Sequence, residues 1–515
     1  MVSVIILSLF AISVVYFFYK YGTDKPYKYP PGPPKIPLFG SYLFLLLCDW
    51  KRTSRGAMML SKLYKSDIIG LFLGEFHTVV VNSYDGIKEM FSRPEFDGKP
   101  DVMAARLRDP HYGRTGIFFN DGPIWKEQRR FILRYLRDYG FGRRFDSVEQ
   151  FINDELSYLI NLIKTGPKYS HEKEFFPEKG KVLCPYFMNS CSLSSFLYIC
   201  FNERIPQNDR KIFNELIKDS IIFNKTGDPY GLLLSIMPWI RFIFPNLSSF
   251  KPLRETSKGL YIFIKDLIDK NMKTYKENEE RNFIDLYVKE MKKMENQGVN
   301  NSSFYYDQFV LSIVDFAFPA NLAITVQLSL MFQWFILRPD ILKNIQNEID
   351  NVVGHSRLPT LDDRKNLPYT EAALRECMRI ESLTPSGFPH KALVDTEFKG
   401  YFIPKDTLMI PGIYAFHMDK NIWSDPDVFK PERFLDSNGE LCLSKDKTLP
   451  FGAGKRLCAG ETFARNMMFL ILTAICQNFN VILRPEQSLP DMTKAFNGIS
   501  IVPPDFWLYL EERTI

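Results

Sequence analysis

One stretch near the C-terminus, Phe451-Gly-Ala-Gly-Lys-Arg-Leu-Cys-Ala-Gly460, constrains this chain more than any other feature. Its three glycines allow a tight loop whose backbone can approach a flat partner closely. The apolar run that begins at Glu461 predicts a helix, and the N–H groups at its start favour a thiolate on Cys458. A phosphate-binding P-loop is excluded, because position 449 is Leu and Arg456 stands where that motif needs Ser or Thr.

A loop of this kind suits a cysteine that ligates a haem iron. Arg456 offers a cation to the haem propionates, and Phe451 offers an apolar wall that keeps water from the sulfur. The glycines at positions 452, 454 and 460 let the backbone lie close to the macrocycle. The alternative is a buried cysteine in a glycine-rich turn, with no ligand role.

Composition narrows the class of protein. Of 515 residues, 45% are hydrophobic and 24% are charged, which excludes a disordered, collagen-like or polytopic membrane chain. The 65 Lys and Arg exceed the 60 Asp and Glu by 5, too small an excess to indicate a nucleic-acid-binding protein. The 8 cysteines include no CxxC pair, which argues against a zinc site, and they are too sparse for a disulfide scaffold.

The N-terminus predicts a membrane anchor over residues 1–20. Residues 2–19 carry no charge and reach about 27 Å as a helix, close to the thickness of the hydrocarbon layer. Lys20, Lys25 and Lys28 follow this run, so the positive-inside rule places the body of the chain in the cytosol. A cleaved signal peptide is the alternative, but it needs a basic residue before the run and a small-residue cleavage site after it.

The rest of the chain predicts a hinge and one large body. Residues 21–37 are basic and Pro-rich, and Tyr29-Pro-Pro-Gly-Pro-Pro-Lys35 is typical of a stiff, extended spacer. From 38 to 515 the pattern predicts a mainly α-helical body with minor β structure, an α+β fold. Short strands are expected at residues 68–73, 77–82, 396–403, 407–410 and 499–510, and a polar loop at 289–303.

Four motifs resemble those of the cytochrome P450 family. The loop at 451–460 matches the family's F-x-x-G-x-R-x-C-x-G haem-binding signature. Glu376-Cys-Met-Arg379 matches its E-x-x-R pair, Phe429-Lys-Pro-Glu-Arg-Phe434 its PERF segment, and Trp125-Lys-Glu-Gln-Arg129 its W-x-x-x-R helix. The likeness runs through almost the whole chain and points to the animal microsomal clan that includes drug- and steroid-oxidising enzymes, insect forms among them.

The resemblance implies the cytochrome P450 fold and haem b as the cofactor, with Cys458 as the thiolate ligand of the iron. It also implies a buried structural triad of Glu376, Arg379 and Arg433. The side chains that it places around the haem, several of them on the propionates, are Trp125, Arg129, His390, Phe451, Arg456, Cys458 and Gly460.

The predicted distal helix departs from the family pattern A-G-x-[DE]-T-T. Counting back without gaps from Pro339 aligns residues 319–324 with that motif, so Leu322 stands at the position of the acid and Ala323 at that of the threonine. Neither side chain can relay a proton, and Pro319 removes a backbone donor. No catalytic side chain is therefore assigned, and water, substrate or backbone carbonyls are left as routes for proton delivery.

The leading function is a membrane-anchored monooxygenase that inserts one oxygen atom of O2 into a small apolar substrate, such as a lipid, steroid, terpenoid or xenobiotic. By resemblance, electrons come from NADPH through a separate cytochrome P450 reductase at the endoplasmic reticulum membrane, with cytochrome b5 as a further candidate partner. The aligned Leu322 and Ala323 leave open a haem-thiolate isomerase or dehydratase of lipid peroxides, and a haem carrier without turnover. Residues 316–323, 383–388 and 496–499 are the expected pocket walls, and the basic helix after Trp125 offers a surface to an acidic partner.

Overall fold

The computed structural model describes residues 2–227, 234–235, 237–299, 301–484, 491 and 495–514. Helices make up most of this part of the chain. They are α1 (Val2–Thr23), α2 (Tyr42–Cys48), α3 (Thr53–Tyr64), α4 (Tyr84–Ser92), α5 (Met103–Leu107), α6 (Gly122–Asp138), α7 (Asp146–Thr165), α8 (Asn189–Phe201), α9 (Lys211–Thr226), α10 (Ile240–Ile243), α11 (Phe250–Lys273), α12 (Phe283–Asn296), α13 (Tyr306–Leu337), α14 (Pro339–Val352), α15 (Pro368–Ile380), α16 (Ile413–His417), α17 (Lys420–Trp423) and α18 (Glu461–Asn478).

The strands are short and form small sheets. They are β1 (Ile68–Leu73), β2 (Phe76–Val81), β3 (Lys181–Cys184), β4 (His390–Lys391), β5 (Thr396–Phe398), β6 (Tyr401–Ile403), β7 (Leu408–Pro411), β8 (Phe479–Ile482), β9 (Phe496–Asn497), β10 (Ile501–Val502) and β11 (Phe506–Glu512). The sheet orders are β1-β2-β7-β4, β3-β11-β8, β5-β6 and β10-β9. Strands β2 and β7 run parallel, and the remaining pairs are antiparallel.

This architecture confirms the prediction of a mainly α-helical body with minor β structure. Two local predictions were too coarse: the strand expected at 396–403 is the hairpin β5–β6, which turns at Lys399 and Gly400 with positive φ, and the strand expected at 499–510 is divided among β10, β11 and the turns before them. The polar loop expected at 289–303 was wrong over its first half, which belongs to α12. Phe283, Tyr287 and neighbouring apolar residues give that helix a buried face. The remaining residues of the helix are polar, and their number made the sequence resemble a loop.

The core is organised around α13. Most of its side chains are buried, and it packs against α8, α9, α11, α14, α15 and α18. Among the helices whose side chains the structure describes in full, α13 alone is long and apolar enough to cross a membrane, and 78% of its apolar window is buried inside the protein. Its continuous hydrophobicity is therefore that of a core helix, packed against other elements over most of its surface.

An aromatic cluster joins α13 to the start of α18. The Phe141 ring lies 5.2 Å from the Phe316 ring of α13 and 5.4 Å from the Phe463 ring of α18, centroid to centroid. Phe196 of α8 contacts both of those rings as well. Because α18 follows the Cys458 loop directly, this cluster fixes the loop against the middle of α13.

The N-terminal segment reaches the body through its hinge. Helix α1 covers residues 2–20 of the predicted anchor, and Met1 lies outside the described residues. The Tyr29 hydroxyl donates to the Thr78 carbonyl over 3.0 Å, and a Cβ on Gly32 would lie 1.9 Å from the Gly70 carbonyl oxygen. This part of the expected hinge is thus packed on β1 and β2, because a glycine on each side lets the two backbones touch. The boundaries 1–20, 21–37 and 38–515 stay predictions.

Candidate cofactor site

The Cys458 loop folds tightly before α18 begins. Gly452 and Gly454 have φ values of 71° and 66°, a region that favours glycine. A Cβ on Gly454 would lie 2.0 Å from the Phe91 carbonyl oxygen, so no larger residue fits there. The Cys458 N–H donates to the Phe451 carbonyl over 2.9 Å, and Gly460 caps α18. The motif therefore places its glycines where the loop turns, so that the loop closes between Phe451 and Cys458 and leads directly into α18.

The Cys458 thiol is accessible although protein surrounds it. The side chain has exposed surface, yet burial is the main effect on its pKa and raises it. The Gly460 N–H and the Arg129 charge act in the opposite direction and favour the thiolate. The thiol is thus accessible, with a donor and a cation beside it that support its ionised form.

Arg456 and Trp125 are stacked beside the loop. The Arg456 guanidinium carbon lies 3.5 Å from the centroid of the Trp125 ring, which is 3% exposed. Arg456 donates through Nε to the Asp97 carbonyl and through Nη1 to the Asn120 carbonyl, each over 2.9 Å. Burial lowers the pKa of Arg456 to about 10. Its Nη2 and the Trp125 Nε1 are buried with no hydrogen-bond partner in the described part of the chain.

His390 and Lys99 lie in the same region. His390 is in β4, and its Nδ1 is 2.7 Å from the Phe96 carbonyl oxygen. Burial, with the Lys99 charge second, holds the pKa of His390 well below its usual value, so the ring is neutral. The Lys99 ammonium donates to the Pro389 carbonyl over 3.1 Å. Burial, followed by the charges of Arg456 and Arg129, lowers the Lys99 pKa strongly.

Sequence reasoning missed Lys99. The nearest signal was a lysine between Gly98 and Pro100, a weak cue because such lysines are usually solvated. Arg114 was missed as well. It donates to the carbonyls of Lys99 and Phe119 over 3.0 Å, and to Asp121 over 3.1 Å.

The charges and free donors of this region suit the propionates of a haem. The cations Lys99, Arg114, Arg129 and Arg456 outnumber the carboxylates Asp97 and Asp121. Three buried N–H groups, on Arg114, Trp125 and Arg456, remain available to acceptors from outside the described chain. Two propionates would balance this excess of positive charge and accept from these donors, while an accessible thiolate suits a ferric or ferrous ion. The residues fit haem.

Arg129 of α6 contacts the cysteine loop, and Phe451 is the first residue of that loop. The Arg129 Nη2 donates to the Leu457 carbonyl, next to Cys458. The Phe451 ring lies under the Arg465 guanidinium, 4.7 Å from carbon to centroid, and Arg465 is bonded to Glu461 over 2.8 Å. Both predicted residues therefore lie against the cysteine loop, one on its polar side and one on its apolar side.

Glu376, Arg379 and Arg433 form a buried network on α15 and the Pro431–Phe434 turn. Arg379 donates to both oxygens of Glu376, over 2.7 and 2.8 Å, and Arg433 donates to Glu376 over 3.2 Å. Arg379 also donates to the carbonyls of His417 and Pro426 over 2.8 Å. Each buried charge has several partners, as a stable ionic network requires. The network holds the segment that leads toward the cysteine loop.

The distal positions of α13 are apolar. Leu322 is 3% exposed, while Pro319 is exposed and Ala323 half-buried within an otherwise buried helix. Pro319 and Ala323 are one turn apart, so they share one face of the helix. The nearest polar side chains donate elsewhere: Asn321 donates to the Ser220 hydroxyl over 2.9 Å, and Thr325 to the Leu322 carbonyl over 2.9 Å. The Asn321 Oδ1 is buried without a partner in the described part of the chain.

Comparison with known proteins agrees with this site. The family model for cytochrome P450 matches residues 30–508. Cytochrome P450 2J2 of Homo sapiens is 31% identical over 484 residues, 93% of this chain and 90% of that protein. Farnesoate epoxidase of Bombyx mori is 29% identical over 511 residues, 98% and 99% of the two chains. Probable cytochrome P450 303a1 of Drosophila melanogaster is 31% identical over 501 residues, 96% of each.

These likenesses confirm the family expected from the motifs, together with its cofactor, a haem held by a cysteine thiolate, and its reaction class. The chain belongs to the cytochrome P450 family of haem-thiolate monooxygenases.

Proposed function

We propose that this monooxygenase is anchored in the endoplasmic reticulum membrane and oxidises a small apolar substrate with electrons from NADPH through a separate reductase. The observation that carries the proposal is the cationic cradle beside the accessible Cys458 thiol, with its unused donors on Trp125 and Arg456. The name of one relative, farnesoate epoxidase, makes farnesoate and similar isoprenoids the first substrates to test.

Within this proposal, Cys458 is the thiolate ligand of the iron, with the Gly460 N–H directed at the sulfur. Trp125, Arg129, His390 and Arg456 hold the propionates, and Lys99 joins them. Thiolate-ligated haem, when bound, supplies the activation of molecular oxygen. The protein's own part is to neutralise the propionates, keep the thiol ionised and exclude water through Phe451 and the apolar face of α13.

Proton delivery cannot use the side chains at 322 and 323. The Asn321 amide N–H donates to Ser220 and the Thr325 hydroxyl donates to the Leu322 carbonyl, so neither donor is free to pass on a proton. Pro319 has no N–H, so the Asp315 carbonyl loses its normal helical donor and can hold a water. We propose that ordered water bonded to such carbonyls carries the protons.

The outer face of α6 supports docking of an acidic electron donor. Lys126, Arg130, Arg134 and Arg137 are exposed on this helix, and Arg143 follows it. Arg129, on the same helix, contacts the cysteine loop. A partner bound to these cations would therefore lie close to the iron ligand, which suits electron transfer from a reductase or from cytochrome b5.

Exposed apolar side chains support the membrane location. Trp239, Phe242 and Leu247 are 50%, 76% and 77% exposed, far more than large apolar residues normally are. Phe39, which follows the hinge, packs in the same cluster as Met237 and Ile240, so the N-terminal segment and this patch are continuous. Together with α1, they give one apolar side that a bilayer would cover, with the body in the cytosol.

The alternative function is an isomerase or dehydratase of lipid peroxides, favoured by Leu322 and Ala323. Purified haem-loaded protein would be incubated with farnesoate, NADPH and reductase, and separately with a fatty-acid hydroperoxide alone. We expect oxygenated product in the first reaction, with one atom from 18O2, and its absence when reductase is omitted. Rapid conversion of the hydroperoxide without NADPH, and no 18O incorporation in the first reaction, would instead support the alternative.

A further inference from the structure

Asn224 uses its whole side-chain amide on one residue of the C-terminal hairpin. It lies in the last turn of α9 and is 1% exposed. Its Oδ1 accepts from the Ser500 N–H over 2.8 Å and from the Ser500 hydroxyl over 3.2 Å, and its Nδ2 donates to the Ser500 carbonyl over 3.1 Å. Its backbone carbonyl accepts from the Ile499 N–H over 3.1 Å. Asn224 therefore binds two consecutive residues, Ile499 and Ser500, of the hairpin tip, which is the turn at residues 498–500 between β9 and β10.

The hairpin tip is also packed directly on the helix backbone. A Cβ on Gly498 would lie 1.9 Å from the Asn224 carbonyl oxygen, and a Cβ on Gly227 would lie 2.3 Å from Ile499 Cγ1. Both positions exclude a side chain. The strands on either side, β9 and β10, are two residues each, too short to hold the tip in place by themselves. The contacts with Asn224 therefore decide where the tip lies.

This contact lies where the expected pocket walls meet. The Ile501 N–H donates to the Leu383 carbonyl over 2.8 Å, which ties the hairpin to the wall at 383–388. The Phe223 ring, next to Asn224, packs edge-to-face on Phe318 of α13 at 5.4 Å, one residue before Pro319. One turn earlier on α9, Ser220 accepts the hydrogen bond from Asn321.

We propose that Asn224 is a positioning residue for substrate selection, whose amide fixes the hairpin tip against α9 and so sets the length of ligand that the pocket accepts. The inference rests on the proposed function, oxidation of a small apolar substrate, and takes the expected wall at residues 496–499 as part of its pocket. A buried amide with a purely structural role would stabilise the fold without affecting the choice between ligands. The two roles therefore differ in a measurable way.

The first test measures the tip itself by hydrogen exchange in the haem-loaded protein. Asn224→Ala is a change in α9 that removes the side-chain hydrogen bonds to the tip. Gly498→Ala is a change in the hairpin whose added Cβ forces the tip away from α9. Both should raise exchange at the amides of residues 499–501 about tenfold, as expected for a tip that is no longer bonded to the Asn224 side chain or seated on α9, and leave β11 unchanged. Ser500→Ala is the matched control, because it keeps both backbone bonds and should exchange like the wild type.

The second test measures ligand choice by the spectral shift on binding 1-butyl-, 1-octyl- and 1-dodecylimidazole. Asn224→Ala and Gly498→Ala should strengthen dodecyl relative to butyl binding by about fivefold, since an open tip admits the longer chain. Asn189→Ala controls for lost stability, because Asn189 is an equally buried amide on α8 that donates to Phe213. It should leave the ratio unchanged.

Faster exchange at residues 499–501 together with a higher dodecyl-to-butyl binding ratio, in both Asn224→Ala and Gly498→Ala, supports the positioning role of Asn224. An unchanged binding ratio in Asn224→Ala and Gly498→Ala, an unchanged exchange rate at 499–501, or an equal shift of the ratio in Asn189→Ala would each overturn it. Failure of the proposed function looks different: wild-type protein would bind the imidazoles but form no product with NADPH and reductase.

Discussion

The Arg456 guanidinium stacks on the Trp125 ring at 3.5 Å, and each partner keeps one buried N–H without an acceptor in the described chain. A pair of this kind is costly unless a ligand completes it, because buried donors normally find partners. Arg456 belongs to the cysteine loop and Trp125 to α6. Their contact therefore couples the expected iron ligand to the expected propionate site, and it can be tested from either side.

The first prediction concerns the Trp125 indole. Trp125→Phe keeps the aromatic surface under Arg456 but removes the N–H, so haem should dissociate about tenfold faster, as for a lost hydrogen bond to a charged group. Haem transfer to apomyoglobin measures this rate. Trp423→Phe is the control, because the Trp423 N–H donates to the Phe416 carbonyl over 3.0 Å, away from the site. Equal haem loss in both variants would contradict the assignment.

The second prediction concerns Lys99. Removing its charge should stabilise the apoprotein but weaken the binding of haem. In the apoprotein its buried ammonium lies near Arg456 and Arg129, so Lys99→Met should raise the free energy of unfolding by about 1 kcal/mol. In the haem-loaded protein the same change removes a propionate partner and should weaken haem binding about tenfold. Lys391→Met is the comparison, since Lys391 already has Asp406 within 3.4 Å. Stabilisation of both forms by Lys99→Met would exclude the proposed contact.

How much of this site was predictable depends on the sequence distance between the contacting residues. Glu376 and Arg379 are one helical turn apart, and the glycines of the cysteine loop are neighbours, so local spacing revealed both. Lys99 is held in the site by a hydrogen bond to the Pro389 carbonyl, 290 residues away, and no local sequence pattern indicates that contact. The second half of α12 was predicted as part of a polar loop because its exposed face outweighs its buried face in composition, although its apolar spacing was present.

The third prediction concerns the ion pair between Arg108 and Asp315, which lie 207 residues apart and whose side chains are 10% and 3% exposed. Asp315 also accepts from the N–H groups of Ile117 and Phe118 over 2.7 and 2.9 Å. Asp315→Ala strands a buried guanidinium and should lower the free energy of unfolding by about 4 kcal/mol. The double variant Arg108→Met, Asp315→Leu should recover part of that loss in urea denaturation. A loss below about 1 kcal/mol in the single variant would argue against a buried pair.

The fourth prediction concerns the pH dependence of stability. Burial, with the Arg379 charge second, lowers the pKa of His417 to about 3, whereas the unfolded chain has a value of about 6.5. The unfolded state therefore binds the extra proton between these values, and stability is lost as the pH falls from 6.5 toward 3. His417→Gln should reduce the slope between pH 5 and 6.5 by up to about 1.4 kcal/mol per pH unit. Identical slopes, measured from urea midpoints, would show that His417 is not held neutral.

The measurement that tests the central claim most directly is the absorption spectrum of the reduced, carbon-monoxide-bound protein. The wild type and Cys377→Ser should both show the red-shifted Soret band of a thiolate-ligated haem, because Cys377 is buried in α15 and is bonded to Gln327. Cys458→Ser should lose that band while its helical circular dichroism is retained. A red-shifted band that survives in Cys458→Ser, or disappears in Cys377→Ser, would contradict the assignment of Cys458 as the ligand.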